Sequence, residues 1–226
     1  LLGWPYARLD ADVRKTFEVA MHTGAGLALA WLMREQLMAD VRDPVGTALL
    51  AGPAAAAGYG LEPLIEERLS HPAIAAVALI AGGIGLAAAD AARPDAARAD
   101  ARRLLAIGVA QAAALIPGVS RNGATLTAAR ALGFSRDEAA RLSWRAGLPI
   151  IAGATLLKGA RVAGRGLDRD LRAPFAAGAV AAFASTLAAA PLRRLVLCSW
   201  APLGAYRVAL GAVALRRLHR LQWPRG

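Results

Sequence analysis

The sequence has a single cysteine, Cys198, so it can form no internal disulfide and no cysteine-based metal site. Its only histidines, His22, His71 and His219, lie far apart, which argues against a histidine-rich metal cluster. Aromatic residues make up 5% of the chain, and lysine occurs only at Lys15 and Lys158. Charged residues make up 19%, against roughly a quarter in an ordinary soluble domain. No basic leader segment or cleavage site precedes the first apolar run, so no signal peptide is in view. The first residue is Leu1 rather than Met, which suggests that the natural start lies upstream.

What remains is apolar and small. Of the 226 residues, 57% are hydrophobic, alanine dominates, and the mean hydropathy is +0.41. Small side chains let helix backbones approach closely in lipid. The formal net charge of +11 is nearly all arginine. A basic chain often binds nucleic acid, but here the arginines sit in connections between apolar runs. In such places they orient membrane helices and contact anionic headgroups. No nucleic-acid motif accompanies them, so a nucleic-acid partner is not expected.

A spanning helix needs about 20 mostly apolar residues. Candidate windows run over residues 19–33, 44–61, 71–89, 104–129, 146–157, 174–192 and 195–215. Asp43 is placed to cap the second window, with Pro44 at its first helical position, and Pro72 opens the third. The stretches 91–103 and 158–172 are rich in charge and read as solvated loops. No linker separates two domains. The expectation is an all-α, polytopic membrane helix bundle forming one transmembrane domain over residues 1–226. A broken, re-entrant helix is expected around residues 104–129, where a proline and glycines interrupt the apolar run.

That window carries the chemistry: Ile116-Pro117-Gly118-Val119-Ser120-Arg121-Asn122-Gly123-Ala124-Thr125. Arg121 is its only charge. An arginine at membrane depth costs roughly 2.5–3.5 kcal/mol on insertion scales, so it should face a cavity and meet an anionic partner. No acidic residue lies nearby in sequence. Pro117 breaks the helix and exposes backbone groups. Gly118 and Gly123 let the backbone turn and approach a ligand, and N–H groups at the next helix start point at anions. Ser120, Asn122 and Thr125 add short polar groups, and an arginine binds phosphate through paired N–H bonds. The set reads as an oxyanion cradle. Gly118 and Gly123 also have the spacing of a nucleotide P-loop, but Ala124 stands where that motif needs lysine and no strand pattern precedes it. The competing structural reading is a kinked helix with Arg121 snorkelling to the interface.

At these residues the sequence resembles the undecaprenyl-diphosphate phosphatase family, also called the bacitracin-resistance family, whose hallmark is P-G-x-S-R-S-G-A-T. Pro117, Gly118, Ser120, Arg121, Gly123, Ala124 and Thr125 match it. So do the downstream Leu132-Gly133-Phe134-Ser135-Arg136, Ala139-Ala140, Ser143 and the stretch from Pro149 to Ala154. Tyr206-Arg207 and Leu210-Gly211 fit a family Y-R-x-x-L-G pattern, and Thr16-Phe17-Glu18-Val19 with Gly24 fits an upstream segment. Asn122 replaces the family's second serine. An earlier family motif, similar to E-x-x-x-E-F-L-P-V-S-S-x-G-H-L, is not in the chain. Leu1-Leu2-Gly3 resembles the family segment just beyond that motif, so the chain is expected to be N-terminally truncated.

The resemblance implies hydrolysis of undecaprenyl diphosphate to undecaprenyl phosphate and inorganic phosphate. This recycles the lipid carrier for peptidoglycan synthesis and gives bacitracin resistance, in a multi-pass protein of the bacterial cytoplasmic (inner) membrane. Arg121, Ser120 and Thr125 are the catalytic candidates, and Pro117, Gly118, Asn122 and Gly123 the substrate-binding ones. The resemblance also implies a divalent cation, Mg2+ or Ca2+, with carboxylate ligands in the missing motif. The partners expected are a polyprenyl diphosphate, membrane lipids and, as a homodimer, a second copy of the chain. Two alternatives stay open: a lipid transporter that flips a polyprenyl phosphate without hydrolysing it, and a truncated, non-catalytic member.

Other ionisable residues have local readings. Glu18 and His22 share one helix face at i,i+4 spacing and are candidates for lining the site. An interfacial pair capping the helix end beside the polar residues 10–15 is the stronger reading. Ser135 and Glu138 fit a capping box. Arg207 reads as a snorkelling side chain, and Trp31, Trp144, Trp200 and Trp223 as interface aromatics.

Overall fold

The computed structural model describes residues 10–35, 38, 41–69, 71–92, 97–165, 169–192 and 199–222. Among them the regular structure is helical, with no strand: α1 (Ala11–Leu32), α2 (Pro44–Leu69), α3 (Pro72–Ala91), α4 (Ala101–Ala112), α5 (Arg121–Ala131), α6 (Arg136–Arg165), α7 (Arg169–Ala189) and α8 (Ala201–Gln222). Short 3-10 turns follow α4 at Ala113–Leu115 and α7 at Ala190–Leu192. Leu1, Leu2, Gly3, Cys198 and Trp223 lie outside the described residues.

The helix starts obey local chemistry. Asp43 Oδ1 accepts from the Gly46 N–H at 2.9 Å, the cap expected before Pro44. His71 caps α3, with Pro72 beginning it. Asp100 Oδ1 accepts from the Arg103 N–H at 2.8 Å, so α4 begins inside a stretch expected to be loop. Ser135 accepts from the Glu138 N–H at 3.2 Å, but the Glu138 carboxylate pairs with Arg141 at 2.5 Å instead of reaching back to complete a capping box. The expected loop at 158–172 is also shorter than read, because α6 continues to Arg165. Alanine, arginine, leucine and lysine are all strong helix formers, and charge alone does not end a helix.

The chain divides into two compact units, Leu1–Met38 with Leu148–Arg193, and Ala39–Gly147 with Arg194–Gly226. The boundary falls within α6 beside Pro149, whose missing N–H removes one helical hydrogen bond. In the first unit α1 packs on α7. A β-carbon at Gly24 would lie 2.0 Å from the Ala179 carbonyl oxygen, so the two backbones meet there. Phe17 and Phe175 stack edge to face at 5.4 Å beside that crossing.

In the second unit α2 packs on α4, α3 on α8, and α5 against both α3 and α4. The α3–α8 pair is antiparallel. Gly83 faces the Gly204 carbonyl and Gly204 faces that of Gly83, while further along Gly211 faces the Ala76 carbonyl. Small residues at such crossings replace the hydrophobic drive that lipid cannot supply. The core gathers Leu50, Leu86, Ile107, Leu126, Phe134, Leu142 and Trp200. Trp200 is 1% exposed, which corrects its reading as an interface aromatic. Its backbone N–H donates to Asp90 Oδ2 at 2.8 Å, and Arg136 Nε donates to Asp90 Oδ1 at 2.5 Å, so one buried carboxylate ties α3, the start of α6 and the start of α8 together. Trp31 is exposed and has the Arg34 guanidinium 5.6 Å from its ring centre.

α3 and α7 are long and apolar enough to cross a membrane. Their apolar side chains are not spent on the protein interior. Val77 and Ile84 on α3 and Val180 on α7 are more than half exposed, as are Leu27 on α1 and Leu156 on α6. Exposed apolar surface on this scale is covered by lipid in a membrane helix bundle.

Candidate functional site

The expected break in the 104–129 window is present, and its two halves, α4 and α5, pack against each other. Between them the Val119 N–H donates to the Ile116 carbonyl at 3.0 Å. Pro117 and Gly118 are the central residues, and Gly118 has φ +90. This is a type II turn, in which proline presets the second position and glycine supplies the left-handed third. Gly118 is fixed by space as well, since a β-carbon there would stand 2.1 Å from the Ala75 carbonyl oxygen on α3.

Ser120 comes next as the N-cap of α5, its Oγ accepting from the Gly123 N–H at 3.1 Å. The first helical bond runs from the Ala124 N–H to the Ser120 carbonyl at 2.8 Å. The N–H groups of Arg121 and Asn122, in the first turn, find no partner among the described residues. A helix start is already electropositive, and acidic residues favour it. Arg121 stands at the first helical position, against that preference. Such local conflict marks functional positions more often than structural ones.

The Arg121 side chain is half-buried and lies along α6. Its Nη1 is 3.5 Å from the Ser143 carbonyl, a long contact, and it occupies the space left by Gly147. No carboxylate pairs with Arg121 among the described residues, although Arg136 and Arg145 have Asp90 and Asp43.

A hydroxyl network underlies the loop. Ser143 Oγ donates to Asn122 Oδ1 at 2.5 Å and lies 2.5 Å from Thr125 Oγ1. The one proton of Thr125 goes either to Ser143 Oγ or to the backbone carbonyls of its own first turn. Thr125 also lies 3.0 Å from the Arg121 carbonyl and 3.1 Å from the Asn122 carbonyl. It is fully buried, so its hydroxyl braces the first turn of α5 from beneath. Ser143, 0% exposed, was not singled out as a site residue from sequence; its one signal was its match to the family pattern.

Glu18 and His22 belong to the first unit, exposed on α1. Because α1 begins at Ala11, they sit two turns inside the helix and do not cap its end. His22 Nδ1–H donates to the Glu18 carbonyl at 2.6 Å. Arg207 does not snorkel: its Nη2 donates to the Gly118 carbonyl at 3.0 Å, which adds a residue that sequence reading had set aside.

No group of three or more His, Cys, Asp or Glu among the described residues is placed to hold a metal ion. The loop offers guanidinium, amide and hydroxyl donors, and these do not fit a hard divalent cation, which takes oxygen ligands rich in carboxylate.

The helical bundle and the loop together define a helical membrane protein with an arginine at the start of α5. The chain matches the family described as bacitracin resistance protein BacA over residues 3–213, and it belongs to that family. Among its relatives, a protein of Geobacter sulfurreducens named undecaprenyl-diphosphatase is 42% identical, the match covering 96% of this chain and 87% of that protein. Proteins of the same name from Trichlorobacter lovleyi and Geobacter metallireducens are 36% and 37% identical. Those matches cover 93% and 95% of this chain and 84% and 86% of the relatives.

Proposed function

We propose that this chain is an undecaprenyl-diphosphatase, a hydrolase that converts undecaprenyl diphosphate to undecaprenyl phosphate and inorganic phosphate and so recycles the carrier for peptidoglycan synthesis. The observation that carries the reading is Arg121: a cation at the positive end of α5, half-buried, beside unpartnered N–H groups and with no carboxylate pair among the described residues. Such a group is stabilised by an anion brought from outside.

In this reading water attacks the terminal phosphorus. The bond from that phosphorus to the bridging oxygen breaks, and the electron pair leaves on the lipid phosphate. Phosphoryl transfer needs chiefly positioning and charge stabilisation. Arg121 clamps the non-bridging oxygens, and the first N–H groups of α5 and the Ser120 hydroxyl donate to them. Asn122, whose Oδ1 is held by Ser143, has its amide N–H2 left to donate. Thr125 acts from beneath, holding the turn. Pro117, Gly118 and Gly123 shape the backbone that approaches the headgroup. Exposed apolar helix faces match a polyprenyl tail and membrane lipids, in a multi-pass protein of the bacterial inner membrane. Mg2+ or Ca2+ enters the reading as a companion of the diphosphate, not as a ligand of the loop. Glu18 and His22, and a homodimer, are secondary elements of the reading.

The test is phosphate release from undecaprenyl diphosphate by the purified chain in detergent. Arg121→Ala should abolish it. Unchanged release removes Arg121 from the mechanism, and lipid transport across vesicles without any release favours a carrier.

A further inference from the structure

Arg207 reaches from α8 into the loop that the proposed function rests on. Its Nη2 donates to the Gly118 carbonyl at 3.0 Å. That carbonyl belongs to the same peptide group as the Val119 N–H, which donates to Ile116 at 3.0 Å. One flat peptide unit is thereby held on both edges, by a distant arginine on one side and by the turn on the other. The next residue is Ser120, the cap of α5, so the tilt of this peptide sets the direction of the Ser120 hydroxyl and of the first N–H groups of the helix.

The arginine is placed for this task at some expense. Its Nε is buried without a hydrogen-bond partner among the described residues. No carboxylate pairs with it among the described residues. α3 makes room for it with glycines: a β-carbon at Gly82 would stand 3.0 Å from Nη2, and one at Gly83 would stand 3.1 Å from the Arg207 β-carbon. A side chain meant only to reach water at a membrane surface needs neither the slot nor the carbonyl.

We propose that Arg207 is a positioning residue of the phosphate cradle, holding the Gly118–Val119 peptide so that Ser120 and the start of α5 point at the headgroup. The inference rests on the reading of the loop as the phosphate site. The experiment compares Arg207→Ala, Arg207→Lys and Arg121→Ala in the full chain in detergent, reading kcat, KM and melting temperature with undecaprenyl diphosphate. Arg207→Ala should lower kcat by about 100-fold, the scale of a misplacement near 1 Å, with KM and melting temperature near those of the parent. Arg207→Lys should recover part of the loss, and added guanidinium should raise the turnover of Arg207→Ala.

A kcat for Arg207→Ala within twofold of the parent, or a loss confined to KM, overturns the proposal. So does a loss that tracks the melting temperature and is not relieved by lysine. If Arg207→Ala yields no folded protein, Gly82→Ala takes its place, pressing on Nη2 while keeping the charge, and the same drop in kcat is expected. An active Arg121→Ala removes the phosphate reading itself, whereas an inactive Arg121→Ala beside a fully active Arg207→Ala removes only this inference.

Discussion

Arg121 lies where Gly147 has no side chain: a β-carbon built on Gly147 would stand 1.5 Å from Arg121 Nη1. Gly147→Ala therefore has opposite effects on stability and activity. Alanine favours a helix interior over glycine by about 1 kcal/mol, and the guanidinium is a mobile group able to move aside. The expected outcome is a melting temperature equal to or above the parent's and a loss of phosphate release of about 100-fold. Parent-like release from Gly147→Ala would mean that the observed resting place of Arg121 has no bearing on turnover.

Arg121→Lys separates charge from geometry. Lysine keeps the charge but not the planar pair of donors. Removing a preorganised oxyanion donor costs about 100- to 1,000-fold in kcat, and Arg121→Lys is expected within that range, with Arg121→Ala below it. Equal activity of the lysine variant and the parent would reduce Arg121 to a point charge.

Ser143→Ala removes the hydroxyl that joins Thr125 to Asn122. It leaves the half-buried Asn122 Oδ1 without its donor, while Thr125 keeps the Arg121 and Asn122 carbonyls as acceptors. A loss of about 1–3 kcal/mol is expected from chemical or thermal unfolding, along with slower turnover because the first turn of α5 loosens. A variant as stable as the parent would show that the network carries no strain when opened.

Asp90→Ala tests the joint between α3, α6 and α8. It removes the carboxylate that accepts from Arg136, the Ser199 hydroxyl and the Trp200 N–H, while Arg136 keeps the Asp90 backbone carbonyl. Leaving the buried Trp200 N–H unsatisfied costs about 1–3 kcal/mol, which a thermal melt in detergent reads directly.

Asp43 gives the pH dependence. The Arg145 hydrogen bond, then the Gly46 N–H, hold its carboxyl below the ordinary value of 3.8. The folded value is depressed, so its stabilising contribution is fully present above the unfolded value near 4 and is lost as pH falls through the folded value. Melting temperatures taken between about pH 3 and 6 should therefore drop toward acid in the parent. Asp43→Asn, which keeps a capping oxygen, should flatten that slope, and an unchanged slope would assign it to other carboxylates.

Part of this was legible in the sequence because it is local: the break at Pro117 and Gly118 and the Asp43 cap of α2. The type II turn and the Ser120 cap of α5 are equally local but emerged only in the structure. These are nearest-neighbour effects. The extent of α6 past Lys158 was misread because clustered charge looks like loop while the same residues favour helix. Arg207, Ser143 and Trp200 were set aside or misplaced for a different reason. Their roles depend on contacts across 89 positions to Gly118, 18 to Thr125 and 110 to Asp90, and no spacing rule reports those. The burial of Thr125 likewise comes from α6 lying beneath it, which the motif alone does not show.

The glycine turn bears on how this protein can diverge. Two of its walls are bare backbone: Gly118 against Ala75, and Gly147 against Arg121. At Gly118 no side chain can be grown without displacing the α3 backbone, whereas at Gly147 the obstacle is a movable guanidinium, so the first is closed to substitution and the second is not. Under the proposed function, adaptation to a different phosphorylated lipid should be sought in Asn122 and its partner Ser143, and at Gly147, rather than at Gly118.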